Sequence, residues 1–476
     1  MEWNRLLSPK RPGNYGKSSS NRSGDLRSEF EKDYHRIIGS SSFRRLQDKT
    51  QVFALDKSDF IRTRLTHSLE VSSFARSLGQ NIAQYIIENK IDGSFNLQTK
   101  SDICDILQCA GLIHDLGNPP FGHFGEEAIR DWFLRKMGEL RFQDKPVTEL
   151  FTGQMLEDFY HFEGNAQALR QVSKLHFLVN EYGMNLTYAL LNTIIKYPVS
   201  SENINPKSGD IKDKKMGFFY AEQPLYEMIS TEMGTEGVRH PLTYILEAAD
   251  DIAYRTADIE DAFKKGCISY EKLREELVKA QKKADDSFCD ISRLDPVGML
   301  DHQFDNAMKR EVENPQLYAV QNFLVRLQSA LIFCATSGFT SNYVSIMDGT
   351  WKHDLFYHTY GEWVIKALGD IAFQYAFLSK PILQMEVSAG TILDFLMDRF
   401  VPAIMNYDTE IPLKMLDKKL VSLISENYRQ IYHLYARNCT NDAEKLYLRF
   451  LLVTDFVSGM TDSYAKDLYQ KLNGIS

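Results

Sequence analysis

The chain has 476 residues, 43% of them hydrophobic and 25% charged, and a formal net charge of −9. This is the composition of a soluble globular protein with a large core, and it excludes a protein that coats DNA through uniform positive charge. No apolar run approaches the roughly 20 residues that span a bilayer, and the N-terminus lacks an apolar signal core, so a cytoplasmic protein with no membrane partner is expected.

Charge is uneven along the chain. Residues 1–49 carry eleven Lys/Arg against six Asp/Glu. Residues 9–24 are rich in Pro, Gly and Ser, and 1–28 read as a basic flexible arm, able to touch a polyanion such as single-stranded DNA or simply to be solvated. From Glu29 onward the pattern is helical, which predicts an all-α fold. A core over 29–270 is expected, followed by a helical extension over 271–476 that is expected to complete the pocket and make oligomer contacts. Six cysteines (Cys104, Cys109, Cys267, Cys289, Cys334, Cys439) lack CxxC spacing, which argues against a disulfide framework or a zinc–thiolate site.

Gln51, in TQVF, is a neutral amide suited to a sugar hydroxyl, a phosphate or a structural hydrogen bond. Next comes a helix carrying His67, with Leu65, Leu69 and Ala75 as its apolar face. Ile103, Ile106, Leu107, Ala110 and Ile113 recur at helical spacing, and Gly117 with Pro119 and Pro120 stops that helix. His114 and Asp115 therefore sit at a helix C-terminus, where the dipole favours a cation. His123 and Glu126, three apart beyond the proline turn, suit a positioned acid/base pair; the alternative is that Glu126 only complements a helix N-terminus.

Asn165, in FEGNAQ, is a second neutral amide. Residues 198–217 read as a long loop, and Phe218–Tyr220 as the place for a short hairpin, at most. Leu242, Ile245, Leu246, Ala249, Ile252, Ala253 and Thr256 build a further helix. On it Asp250, Tyr254 and Asp258 are four apart and share a face, whereas Asp251 points about 100° away and is placed to pair with Arg255. Arg62, Arg64, Lys196, Lys214 and Lys215 add cations suited to phosphate oxygens.

Two imidazoles (His67, His114) and two carboxylates (Asp115, Asp250) form a mixed nitrogen/oxygen set for a hydrolytic divalent metal: Mn²⁺ or Mg²⁺ first, with Fe or Zn also compatible. No GxxxxGK[ST] loop is present, which removes P-loop chemistry.

The longer words RTRLTHSLEV, HDLGNPPFGHFGEEAI, FEGNAQALR, EAADDIAYRTADIEDA and GMTDSYAKDLY resemble the bacterial deoxyguanosine triphosphate triphosphohydrolases, a branch of the HD-domain metallohydrolases, from about Phe43 to the C-terminus. The resemblance implies an HD-domain helical bundle that splits dGTP, or dNTPs more broadly, into deoxynucleoside and intact triphosphate. It implies His67, His114, Asp115 and Asp250 on the metal and His123 and Glu126 in the chemical step. Arg64, Asn165, Lys196, Tyr197 and Lys215 would hold the triphosphate. Gln51 and Asp258 would hold the 3′-hydroxyl, and Tyr254 would pack against C2′. A homo-oligomer, a hexamer first, and a single-stranded DNA effector are further implications. Relative to the vertebrate SAM-and-HD-domain enzyme, Asn118 stands where a histidine is expected, so the catalytic pair follows the bacterial branch. The competing readings are an HD-type phosphodiesterase or 5′-nucleotidase, and a non-catalytic nucleotide or DNA sensor.

Overall fold

A computed structural model describes residues 1–14, 25–53, 61–176, 181–285 and 294–475. It is helical almost throughout. Among the described residues the only ladder is a two-residue hairpin, Arg141–Phe142 against Lys145–Pro146. Gln143 and Asp144 turn it with positive φ at both positions, the geometry that matches strand twist in a tight hairpin. The hairpin expected at Phe218–Tyr220 is absent. Phe218 is instead buried and stacks on Tyr226 at 4.1 Å, and Tyr220–Glu222 forms a 3₁₀ turn. The expected loop over 198–217 holds three short 3₁₀ turns.

Three helices carry the site. The His67 helix, Arg64–Glu88, starts from a reciprocal cap between Thr63 and Thr66. The second, Leu97–Ile113, is capped by Asn96, whose side chain accepts from the amides of Gln98 and Thr99. The Asp250 helix, Pro241–Lys264, opens with proline at its first turn and is capped by His240. The first two approach closely at Gly111, where a Cβ would lie 2.5 Å from Ser72 Cα. Any larger residue there would push the helices, and with them His67 and His114, apart. The buried face of the His67 helix runs through Val71, Ala75, Leu78 and Ile82; Leu69, expected to be apolar core, is half exposed.

Packing joins the residues on the two sides of position 270. One apolar cluster joins these three helices to the N-terminal segment and to helix Pro315–Ser341. The other joins the helix Gly122–Lys136 to Lys380–Ile404, Glu426–Ala436 and Asp442–Ser458. The turn from Leu116 to Phe121 passes from one cluster to the other.

Two expectations change. Residues 1–14 are not a loose arm: Trp3, Leu6 and Arg11 are buried, and Arg11 pairs with Asp33 at 2.5 Å and Glu29 at 2.9 Å. Residues 15–24 lie outside the described residues. Helix Pro315–Ser341 is, by length and composition, long and apolar enough to cross a membrane. Its Phe323, Leu327, Leu331 and Ala335 are fully buried in the first cluster, as in a core helix.

Candidate active site

His67, His114 and Asp115 each present a ligand atom, all within 4.8 Å of one another. Asp250 closes the group. Its Oδ1 lies 3.1 Å from His67 Nε2 and 3.4 Å from His114 Nε2, and His114 Nε2 lies 3.5 Å from Asp115 Oδ1. Both imidazoles are buried. His114 Nδ1 donates to the Gly111 carbonyl at 2.8 Å, which fixes the tautomer and leaves the Nε2 lone pair aimed at the carboxylates. That Nε2 is buried with no hydrogen-bond partner. An orphaned imidazole nitrogen facing two carboxylates is a donor set that fits a divalent cation.

The outer oxygens of both carboxylates are held by cations. Arg64 Nη1 sits 2.5 Å from Asp115 Oδ2, and Lys196 Nζ sits 2.9 Å from Asp250 Oδ2. Asn118 Nδ2 also donates to Asp115 Oδ1 at 2.8 Å. Burial alone would raise the Asp115 carboxyl, but His114, Arg64 and His67 hold it well below the usual range. Burial is likewise outweighed at Asp250, by Lys196 and His114. The cations thus keep both carboxylates ionised and oriented.

His123 and Glu126 form the expected pair on the helix that follows the proline turn. His123 Nδ1 and Glu126 Oε2 are 3.1 Å apart; the imidazole is 67% exposed and the carboxylate 2%. The Glu126 bond raises His123 above its ordinary pKa. Glu126 Oε1 also accepts from the Gly164 amide at 2.8 Å, so this carboxylate is locked between a histidine and a second helix start rather than complementing its own helix.

Tyr254 lies edge-on to His67, with ring centroids 6.4 Å apart, and stacks on Phe377 at 6.3 Å. Gln51, His123 and Tyr254 line one cavity, with Phe377 and Met385 from the C-terminal half opposite. One turn beyond Tyr254, both oxygens of Asp258 are buried without a partner, as is Gln51 Oε1. Burial pushes the Asp258 carboxyl well above its ordinary range. Lys215 and Asn165 are both tied to Glu163, at 2.8 Å and 2.7 Å, and Tyr197 is buried.

One expected cation stands elsewhere. Arg62 is clamped by Glu70, Glu260 and Asp261 at 2.5–2.9 Å and braces two helices rather than a phosphate. Lys214 is exposed, on an open groove that it lines together with Lys215 and Glu163. The i,i+4 ion pair expected between Asp251 and Arg255 does not form; Arg255 lies over the Tyr254 ring at 5.6 Å.

A family model described as "HD domain" matches residues 64–188. A deoxyguanosinetriphosphate triphosphohydrolase-like protein of Listeria innocua is 45% identical over 100% of both chains. The deoxyguanosinetriphosphate triphosphohydrolase of Yersinia enterocolitica is 31% identical over 99% of each. The chain belongs to the deoxyguanosinetriphosphate triphosphohydrolase-like family.

For this triphosphohydrolase-like chain, reasoning from sequence passed over two residues at the site. Glu163 stands two positions before Asn165, and its value as the shared partner of Asn165 and Lys215 shows only when the 198–217 segment folds back. Lys49 is buried, with Nζ donating to the carbonyls of Asn118 at 2.6 Å and Ser458 at 2.7 Å. Burial, with Arg64 close by, pushes its amine down to about 7. A lysine in a polar stretch, DKTQ, carries no sequence mark of such burial.

Proposed function

We propose that the protein hydrolyses dGTP, or dNTPs more broadly, at the α-phosphorus, releasing deoxynucleoside and inorganic triphosphate. The observation that carries this reading is the buried, unpartnered Asp258 carboxylate with the orphaned Gln51 oxygen, near the Tyr254 ring and the His/Asp cluster. Buried polar atoms without partners are rare unless a ligand completes them, and a sugar hydroxyl is a donor that suits both. The names of the family's members point to the same substrate.

His67, His114, Asp115 and Asp250 would hold a divalent metal, Mn²⁺ or Mg²⁺ first. What such an ion supplies, when bound, is charge neutralisation and a more acidic water. The remaining chemistry belongs to the chain. Arg64 and Lys196 orient the two carboxylates and add positive charge where the phosphoryl group gathers negative charge. Lys215, Asn165 and Tyr197 form the far wall for the triphosphate. Glu126 holds His123 by Nδ1, which leaves Nε2 to move a proton between water and the 5′-oxygen. Tyr254 fills the space beside C2′.

The test is to incubate the purified protein with each dNTP and Mn²⁺ or Mg²⁺ and to identify the products. Triphosphate plus deoxyguanosine is expected from dGTP. Orthophosphate, or no product, overturns the reading.

The protein is further read as a cytoplasmic homo-oligomer, a hexamer first. The exposed Val325, Phe333, Phe373 and Val387 support this, and a monomeric mass by light scattering would contradict it. A single-stranded DNA effector would fall to the exposed Arg36, Arg44 and Arg45, because Lys10 and Arg11 are already paired with carboxylates. Binding that weakens steeply with salt is its signature; no binding at low ionic strength removes it.

A further inference from the structure

Three segments far apart in sequence meet behind the pocket wall, and one carboxylate joins them. Asp462 opens the last helix, Asp462–Leu472, and is buried. Its Oδ1 accepts from the Phe121 amide at 2.9 Å. Its Oδ2 accepts from the Thr50 amide at 2.9 Å and also from the Thr50 hydroxyl.

Both amides matter by position. Thr50 directly precedes Gln51. Phe121 caps the helix that carries His123 and Glu126, with φ at +65°, a left-handed conformation that a non-glycine residue holds only when its surroundings impose it. The neighbouring Lys49 extends the joint. Its ammonium donates to the carbonyls of Asn118 and Ser458, and its own carbonyl accepts from the Arg64 amide at 3.0 Å. Thr50 also bridges Thr63, the cap of the His67 helix. Asp462 and Lys49 themselves have no role in the chemistry described above.

We propose that Asp462 is the positioning residue that sets the spacing between Gln51 and His123 across the pocket. Its oxygens are engaged by one hydroxyl and two backbone amides, those of Thr50 and Phe121, so it acts through the backbone just ahead of Gln51 and His123 and not on substrate. The proposal rests on the roles read for Gln51 and His123 under the proposed function.

Asp462→Asn keeps the volume and turns one acceptor into a donor facing an N–H. Amide exchange read by mass spectrometry is expected to speed up by about tenfold or more in peptides covering 49–53 and 118–124, while the His67 and Asp250 helices keep their protection. In steady state, kcat for dGTP falls by about 10- to 100-fold, the scale of a small misplacement of reacting groups. The loss shrinks by about threefold or more in a Gln51→Ala background, because coupled residues are not additive. Thr50→Val, which removes only the hydroxyl bond, gives a weaker form of the same pattern and serves if Asp462→Asn folds poorly. Unchanged exchange in both peptides overturns the proposal, as does equal acceleration along the whole chain or full additivity with Gln51→Ala. If the wild type releases no triphosphate from dGTP, the nucleotide reading fails by itself, and the exchange comparison still decides whether Asp462 holds the two segments.

Discussion

Glu163 holds Lys215 at 2.8 Å with one oxygen while its other oxygen accepts from Asn165. The two side chains read as the triphosphate wall are thus gathered around a carboxylate. Burial, with Glu126 nearby, raises the Glu163 pKa. A tetra-anionic substrate arriving here meets that negative charge. Glu163→Gln keeps the acceptor for Asn165 and removes the charge. The expected result is a KM for dGTP lower by about 3- to 10-fold, near 1 kcal/mol, the size of one screened charge contact, with kcat little changed. A raised KM would show that Glu163 is needed to hold Lys215 in place.

The metal cluster predicts a clean loss of function. His114→Ala or Asp115→Ala should lose bound metal by elemental analysis and nearly all turnover, while far-ultraviolet circular dichroism keeps its helical signal. The apolar contacts of the helix Leu97–Ile113 do not pass through either side chain. A variant that holds no metal yet turns over normally would move the chemistry elsewhere.

The acid/base pair predicts a pH signature. Glu126 raises His123 above its ordinary pKa by hydrogen bonding to the imidazolium, so the charged form persists to higher pH than in a free histidine. Glu126→Gln removes that support. The limb of the kcat profile that reports His123 should then move to lower pH, whether His123 serves as acid or as base. His123→Ala and Glu126→Ala should each lower kcat by about 10²–10⁴-fold with metal content retained. A limb that stays in place in Glu126→Gln would detach His123 from the rate.

The proposed sugar selection rests on one helix face, with Gln51 beside it. Tyr254→Ala should narrow the dGTP-over-GTP preference in kcat/KM, since exclusion by a ring is steric. Asp258→Ala or Gln51→Ala should weaken dGTP by about 1–3 kcal/mol, the weight of a buried hydrogen-bonding group left unpaired, and barely affect a 3′-deoxy analogue. Matched kinetics on the three nucleotides decide it. An unchanged dGTP/GTP ratio in Tyr254→Ala would take the sugar off this face.

The parts of the site that lie within single helices were legible in the sequence. His114 at the end of its helix, and Asp250 with Tyr254 and Asp258 one turn apart, follow from apolar periodicity and stop signals, and the structure places them so. What the sequence concealed depends on contacts across hundreds of residues. Asp462 reaches Thr50 and Phe121 from the far end of the chain, and Phe377 reaches Tyr254 from the C-terminal half. Arg62 looked like a phosphate ligand because its three carboxylate partners include two from a helix some 200 positions on. The hairpin was misplaced because its turn is Gln143–Asp144 and not a glycine-bearing pair.

The site lies where the two apolar clusters meet, with His67, His114 and Asp250 on helices of one and His123 on a helix of the other. A nucleotide held there is bound only while both clusters are folded. Its binding free energy is therefore added to the linkage between them, about 2.7 kcal/mol at a ligand concentration one hundred times Kd. Substrate thus acts as a thermodynamic staple. In calorimetry a saturating, non-hydrolysed dGTP analogue should draw any separate melting of the two halves into one sharper, hotter transition.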